Sequence, residues 1–120
     1  MAHVTLLGFP SDLAAQLRRA LTQDSHTVER KGSAAQRKGE TPSGVIFVCG
    51  DAPDFMATLS EVRKKEPGVP VVVATRLPET KHWLDALEAG ASDYCGAPFE
   101  TTQVRWIMGS VLAQPAYKAA

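Results

Sequence analysis

The sequence has few cysteines, no excess of either charge and no long hydrophobic run, and each shortage excludes a class of protein. Its two cysteines, Cys49 and Cys95, lack the close spacing of a zinc site or of a disulfide framework. Thirteen basic and thirteen acidic residues give no net charge, and hence no global attraction to nucleic acid or to an anionic membrane. No apolar stretch approaches the roughly 20 residues that span a bilayer, and residues 1–3 do not begin a secretory signal. We therefore expect a cytoplasmic protein without metal, cofactor or membrane contact.

Short apolar runs alternate with amphipathic segments along the chain. Residues 4–7, 45–49 and 71–75 are too uniformly apolar for strands with one solvent-exposed face, so they predict central strands of a parallel sheet. Residues 27–30 indicate an edge strand, and a further short strand follows Gly90. This order predicts a doubly wound α/β fold: a five-stranded parallel sheet of order 2-1-3-4-5, as in flavodoxin-like proteins.

Apolar residues at helical spacing predict the helices between these strands. The predicted core positions are Leu13, Leu17 and Leu21, then Phe55, Leu59 and Val62, and finally Val104, Met108 and Val111. A helix from about Glu79 is predicted to turn Leu84 and Leu87 toward the sheet. Between strands 2 and 3, glycine, proline and serine predict a short or missing helix. Residues 1–113 are expected to form one domain, and residues 114–120 a tail or the start of a linker.

Residues 86–99 carry the most specific pattern in the chain. They combine a helix end, a glycine turn, a short strand and a Pro-Phe step into a last helix. In this order and spacing the segment resembles the final βα unit of bacterial response-regulator receiver domains, the CheY-like family. The resemblance implies a phosphorylation site at the carboxyl ends of the strands. Such a site needs a nucleophilic aspartate, an acidic pair for Mg²⁺, a hydroxyl and a lysine.

The positions implied by this resemblance have mostly lost the required residue types. Gly8 and Phe9 stand in place of the acidic pair, Cys49 in place of the aspartate and Ala97 in place of the lysine. The hydroxyl position keeps its residue type as Thr75, and Arg76 follows it. A thiol is mostly protonated at neutral pH, and sulfur is a poor ligand for Mg²⁺. Asp51 follows in the loop and is not expected to replace the aspartate, because such chemistry requires precise placement. The resemblance therefore implies a pseudo-receiver that is not an enzyme.

A domain without this chemistry acts through its surface. In receiver domains, partner binding and dimerisation commonly use the face of the penultimate helix, the last strand and the final helix. The candidate contact residues on that face are Trp83, Tyr94 and Trp106. A second surface, either a solvated loop or a docking patch, is formed by Arg30, Lys31, Arg37 and Lys38.

Three functions remain open from the sequence. The first is a phosphorylation-independent interaction module in signalling, free-standing or joined to a DNA-binding or ATPase output domain, with no nucleic-acid contact of its own. The second is a thiol switch in which Arg76 favours the thiolate of Cys49. The third is a flavodoxin-like domain that binds a small molecule. It is the least favoured, because residues 8–12 lack the glycine spacing of a phosphate loop.

Overall fold

The fold is a parallel sheet with helices on both faces. The computed structural model describes residues 2–32, 43–76 and 79–113. The strands are β1 (His3–Leu7), β2 (Thr27–Lys31), β3 (Val45–Cys49), β4 (Val71–Thr75) and β5 (Asp93–Gly96). Within the described residues the helices are α1 (Ser11–Thr22), α2 (Phe55–Lys65), α3 (Thr80–Glu88) and α4 (Thr101–Ala113). The strand order is β2-β1-β3-β4-β5 and every neighbouring pair is parallel, which confirms the predicted topology.

Coverage of both faces explains why the central strands are largely apolar. Every residue of β3 and β4 is buried. Successive side chains of a strand point to opposite faces, so Phe47 packs with α1 and α4, whereas Ile46 and Val48 pack with α2. The predicted core faces of α1, α2 and α4 are confirmed by the burial of Leu13, Leu17, Leu21, Phe55, Leu59, Val62, Val104, Met108 and Val111.

Helix α3 departs from its predicted orientation. The prediction that Leu84 and Leu87 face the sheet is wrong, since these side chains are 50% and 36% exposed. Ala86 is the buried residue of this helix. At about 100° per residue, Leu84 is turned about 200° from Ala86 and Leu87 about 100°. Together with Trp83, which is 43% exposed, the two leucines form an apolar stripe on the surface.

Some sequence predictions concern segments outside the described residues. They are the short or missing helix between strands 2 and 3, the positions Arg37 and Lys38, and the tail at residues 114–120. Among the helices of the described ranges, none combines the length and the hydrophobicity needed to cross a membrane.

Candidate functional site

The carboxyl ends of β1, β3, β4 and β5 form one edge of the sheet, where the candidate pocket residues lie. After β1, Gly8 adopts a φ of +78°, and its N–H donates to the carbonyl oxygen of Lys31 at 3.0 Å. An acidic side chain at Gly8 would strain this left-handed backbone. Phe9 is 3% exposed and belongs to the hydrophobic core. The loop after β1 is therefore built for packing rather than for holding a cation.

Cys49 is buried at the end of β3, at the position that the receiver resemblance assigns to the nucleophile. Burial raises the pKa of the Cys49 thiol above its ordinary value. The Arg76 guanidinium lowers this pKa only weakly. The thiol is thus protonated at neutral pH. This weighs against the thiol-switch hypothesis, which requires Arg76 to favour the thiolate.

We expect Cys49 to react slowly with iodoacetamide near neutral pH, at least roughly tenfold more slowly than a free thiol, because it is buried and protonated. Peptide mass spectrometry over time measures the rate. A Cys49→Ser variant isolates the background from Cys95, which is also buried and whose pKa burial raises to about 12. Alkylation of Cys49 as fast as that of a free thiol would restore the thiol switch as a candidate function.

Asp51 is the site residue that sequence reasoning undervalued. Its backbone lies in the loop after β3, but its carboxylate returns to the end of β4 and accepts a hydrogen bond from the Thr75 hydroxyl. The backbone N–H of Arg76 also donates to this carboxylate, at 3.0 Å to Oδ2 and 3.2 Å to Oδ1. Thr75 itself is 3% exposed. The hydroxyl that the resemblance assigns to phosphoryl oxygens is thus bound to the chain's own carboxylate, in a charge-assisted hydrogen bond.

Gly50 makes this arrangement possible. Its N–H donates to the carbonyl oxygen of Ala74 at 2.8 Å, which holds the loop close against β4. A Cβ atom at Gly50 would lie 2.9 Å from Cγ1 of Val73 and 3.3 Å from Cβ of Thr75. A glycine directly after a buried strand is a sequence signal for such a close backbone approach, and it could have indicated this turn.

Arg76 joins the end of β4 to the start of α1. Its guanidinium contacts both carboxylate oxygens of Asp12, with Nη1–Oδ2 at 2.7 Å and Nη2–Oδ1 at 3.0 Å. The hydrogen bond from Arg76 lowers the pKa of Asp12. Asp12 and Asp51 are therefore both engaged by donors of this chain. Within the described ranges, no cluster of three or more His, Cys, Asp or Glu residues could hold a metal ion.

Ala97 completes this edge after β5. Its N–H donates to the carbonyl oxygen of Thr75 at 2.8 Å, and its methyl group packs against the core. The Ala97–Pro98 peptide bond is cis. The backbone at this position supports Thr75, but the side chain carries no positive charge for phosphoryl oxygens.

Two of the three predicted contact residues meet on the surface. Trp83 of α3 and Tyr94 of β5 line one open cleft of about 200 Å³ together with Glu79 and Thr80. Trp106 is 70% exposed, which confirms its predicted outward orientation, but it lies on α4 and does not line this cleft.

The predicted basic patch includes one residue with a structural role. The Arg30 guanidinium donates to the carbonyl oxygen of Phe9, at 3.1 Å from Nε and 2.8 Å from Nη2, and so holds the loop between β1 and α1. Lys31 is partly buried at the end of β2. Arg37 and Lys38 lie outside the described residues, so a docking role for the patch stays a prediction.

Solved structures share this architecture. NtrX from Brucella abortus in complex with ADP is similar with a TM-score of 0.81 and 19% sequence identity, over 92% of this chain and 26% of that chain. A BeF3-activated DrrB receiver domain is similar with a TM-score of 0.77 and 19% identity, over 95% of this chain and 99% of that domain. A CheY-like response-regulator receiver domain protein from Methanospirillum hungatei JF-1 has a TM-score of 0.77 and 17% identity, over 93% and 94% of the two chains.

These similarities define the class of fold. The chain is a flavodoxin-like α/β domain, and within that class it has the fold of response-regulator receiver domains. It spans about a quarter of the length of the NtrX chain. No protein-family model matches the sequence, and no curated protein matches it either.

Proposed function

We propose that this chain is a signalling module of the receiver type that acts through protein contacts, without aspartyl phosphorylation and without catalysis of its own. The observation that carries the proposal is the Asp51 carboxylate, which accepts hydrogen bonds from the Thr75 hydroxyl and the Arg76 N–H. A phosphoryl group would need these same donors. The chain's own negative charge therefore stands where a transferred phosphoryl group would be stabilised.

The remaining chemistry of the pocket supports the same proposal. Cys49 offers a buried thiol with a raised pKa in place of a carboxylate nucleophile. Ala97 offers no cation for the phosphoryl oxygens, and the carboxylate of Asp12 is bound to Arg76. Phosphoryl transfer depends on positioned charge more than on any covalent contribution of the protein. With a thiol at the nucleophile position, no cation at Ala97, and Asp12 and Asp51 already engaged by other groups of the chain, the pocket lacks the arrangement that this reaction needs.

A surface for protein contact remains on the β5 side of the domain. The stripe on α3 exposes three large apolar side chains, Trp83, Leu84 and Leu87, and Tyr94 lies beside it on β5. Tryptophan and tyrosine are enriched among residues that contribute most to protein binding, and clustered exposed apolar side chains commonly mark interaction sites. We assign partner binding or self-association to this face, formed by α3, β5 and α4.

The proposal is tested by exposing the protein to beryllofluoride, a phosphoryl mimic, with and without Mg²⁺. We expect no saturable shift of the Thr75 and Arg76 amide signals in two-dimensional NMR, because the Asp51 carboxylate already accepts from the Thr75 hydroxyl and the Arg76 N–H, and the nucleophile position holds Cys49. The DrrB receiver domain, which has been solved in a BeF3-activated form, serves as the positive control. A saturable Mg²⁺-dependent shift of the Arg76 amide would overturn the proposal.

A further inference from the structure

The lining residues of the cleft beside α3 carry aromatic, acidic and hydroxyl groups. Trp83 and Tyr94 contribute two aromatic rings, Glu79 contributes a carboxylate and Thr80 a hydroxyl. No basic residue is among the four. At about 200 Å³ the cleft is smaller than the roughly 300–1,000 Å³ of typical small-molecule sites, so it suits the end of one side chain rather than a nucleotide.

The walls of the cleft are held in place by the backbone. The carbonyl oxygen of Glu79 accepts a hydrogen bond from the N–H of Trp83 at 3.0 Å, in the first turn of α3. The backbone of Glu79 interacts with the phenol of Tyr94 and partly offsets the rise of its pKa, which brings the start of the helix close to β5. The Glu79 side chain makes no capping hydrogen bond to the helix, and Glu79 is exposed. The cleft is present in the single chain, which lowers the entropic cost of binding a partner.

The carboxylates of Asp51 and Glu79 lie close enough to Tyr94 to act on its phenol. Burial raises the pKa of Tyr94, and the nearby charges of Asp51 and Glu79 add to this effect, so the phenol is neutral at physiological pH. An anionic group would be repelled by these carboxylates. A cation would be attracted both by them and by the negative faces of the two aromatic rings.

We propose that the cleft formed by Glu79, Thr80, Trp83 and Tyr94 binds an arginine side chain of a partner protein. A guanidinium is planar, stacks on aromatic faces and pairs with a carboxylate through a fork of N–H donors, whereas a lysine ammonium is a compact and strongly hydrated point charge. The threonine hydroxyl offers one further acceptor. The inference rests on the proposed function in one respect, namely that the partner is a protein.

The test uses N-acetyl-arginine amide as the probe and the indole N–H signal of Trp83 as the readout, assigned with a Trp83→Leu variant. We expect a saturable shift with a dissociation constant in the millimolar range. N-acetyl-citrulline amide, which has nearly the same shape without the charge, is expected to cause none. Glu79→Gln should weaken binding about threefold, since the ion pair is exposed. In the Trp83→Leu protein, binding followed by the Tyr94 amide should weaken about fivefold.

Trp106→Leu is the matched control, because this exposed tryptophan lies outside the cleft and its loss should leave the affinity unchanged. Equal binding of the citrulline or lysine amide would overturn the assignment of a guanidinium site. A shift of the Trp83 signal with protein concentration alone would assign the cleft to a second copy of the chain and would also overturn it. Neither outcome depends on the beryllofluoride result, so the two proposals fail separately.

Discussion

Replacing Asp51 by alanine is expected to lower the free energy of unfolding by about 2 kcal/mol, a large effect for an exposed side chain. The carboxylate accepts from the buried Thr75 hydroxyl and from the Arg76 N–H, and hydrogen bonds to charged groups contribute more than neutral ones. Its loss also removes one of the contacts between the loop after β3 and the end of β4, where the Gly50 N–H still donates to Ala74. Urea unfolding followed by circular dichroism measures the change.

The same Asp51→Ala substitution is expected to create an anion site. Without the carboxylate, the hydroxyl of Thr75 and the N–H of Arg76 can donate to an added phosphate ion, and the negative charge that repels anions is gone. We expect a saturable shift of the Arg76 amide on addition of phosphate to the variant and no such shift in the unaltered protein. Equal responses of the two proteins would show that Asp51 does not occupy an anion site.

Two further variants separate charge from geometry. Asp51→Asn keeps an oxygen acceptor without the charge, so its free energy of unfolding should lie between those of the unaltered protein and the Asp51→Ala variant. Asp54→Ala is the control, because it removes an exposed carboxylate from the same loop. The Asp54 side chain makes no capping hydrogen bond, so this substitution should change the free energy of unfolding by less than about 0.5 kcal/mol. If Asp51→Ala and Asp54→Ala unfold at the same urea concentration, the Asp51 carboxylate does not stabilise the fold.

Replacing Gly50 by alanine is expected to cost about 1–3 kcal/mol, in the range measured for added methyl groups in packed interiors. The new Cβ would lie 2.9 Å from Cγ1 of Val73, a fully buried and β-branched side chain with little freedom to move. It would also press on Cβ of Thr75 at 3.3 Å. We therefore expect both a lower urea midpoint and a changed amide shift for Thr75.

Gly68 provides the matched control for this substitution. A Cβ there would meet nothing within 4 Å, and its backbone is not left-handed, so Gly68→Ala should leave stability within about 0.5 kcal/mol of the unaltered protein. Equal urea midpoints for the two variants would mean that β3 and β4 separate easily. In that case Gly50 would not set the position of Asp51.

Much of the fold was predictable because hydrophobic patterns report burial directly. The unbroken runs of β3 and β4 require cover on both faces, and the leucines of α1 recur at the period of a helix. Helix α3 shows where this reasoning fails. Its apolar residues outnumber the positions that the sheet can cover, so periodicity alone could not decide that Ala86, rather than Leu84 or Leu87, faces inward.

The residue types at the candidate pocket positions were predictable from the sequence, but the position of the Asp51 carboxylate in the pocket was not. The absence of an aspartate at Cys49 and of a lysine at Ala97 is visible in the residue order. The carboxylate that binds Thr75 is not, because the direction of a loop side chain depends on the turn that carries it. Gly50 permits a close approach to β4 that sends Asp51 back to the strand edge.

The sequence by itself determined which segments form the central strands, the core faces of α1, α2 and α4, and the residue types at the candidate pocket positions, because periodicity and residue type act locally. Only the tertiary structure decided which distant groups meet. It pairs Arg76 with Asp12 across 64 positions, brings Asp51 to Thr75, and joins Trp83 and Tyr94 in one cleft. Such contacts depend on how elements separated in sequence pack against one another, and this packing sets the final position of each side chain.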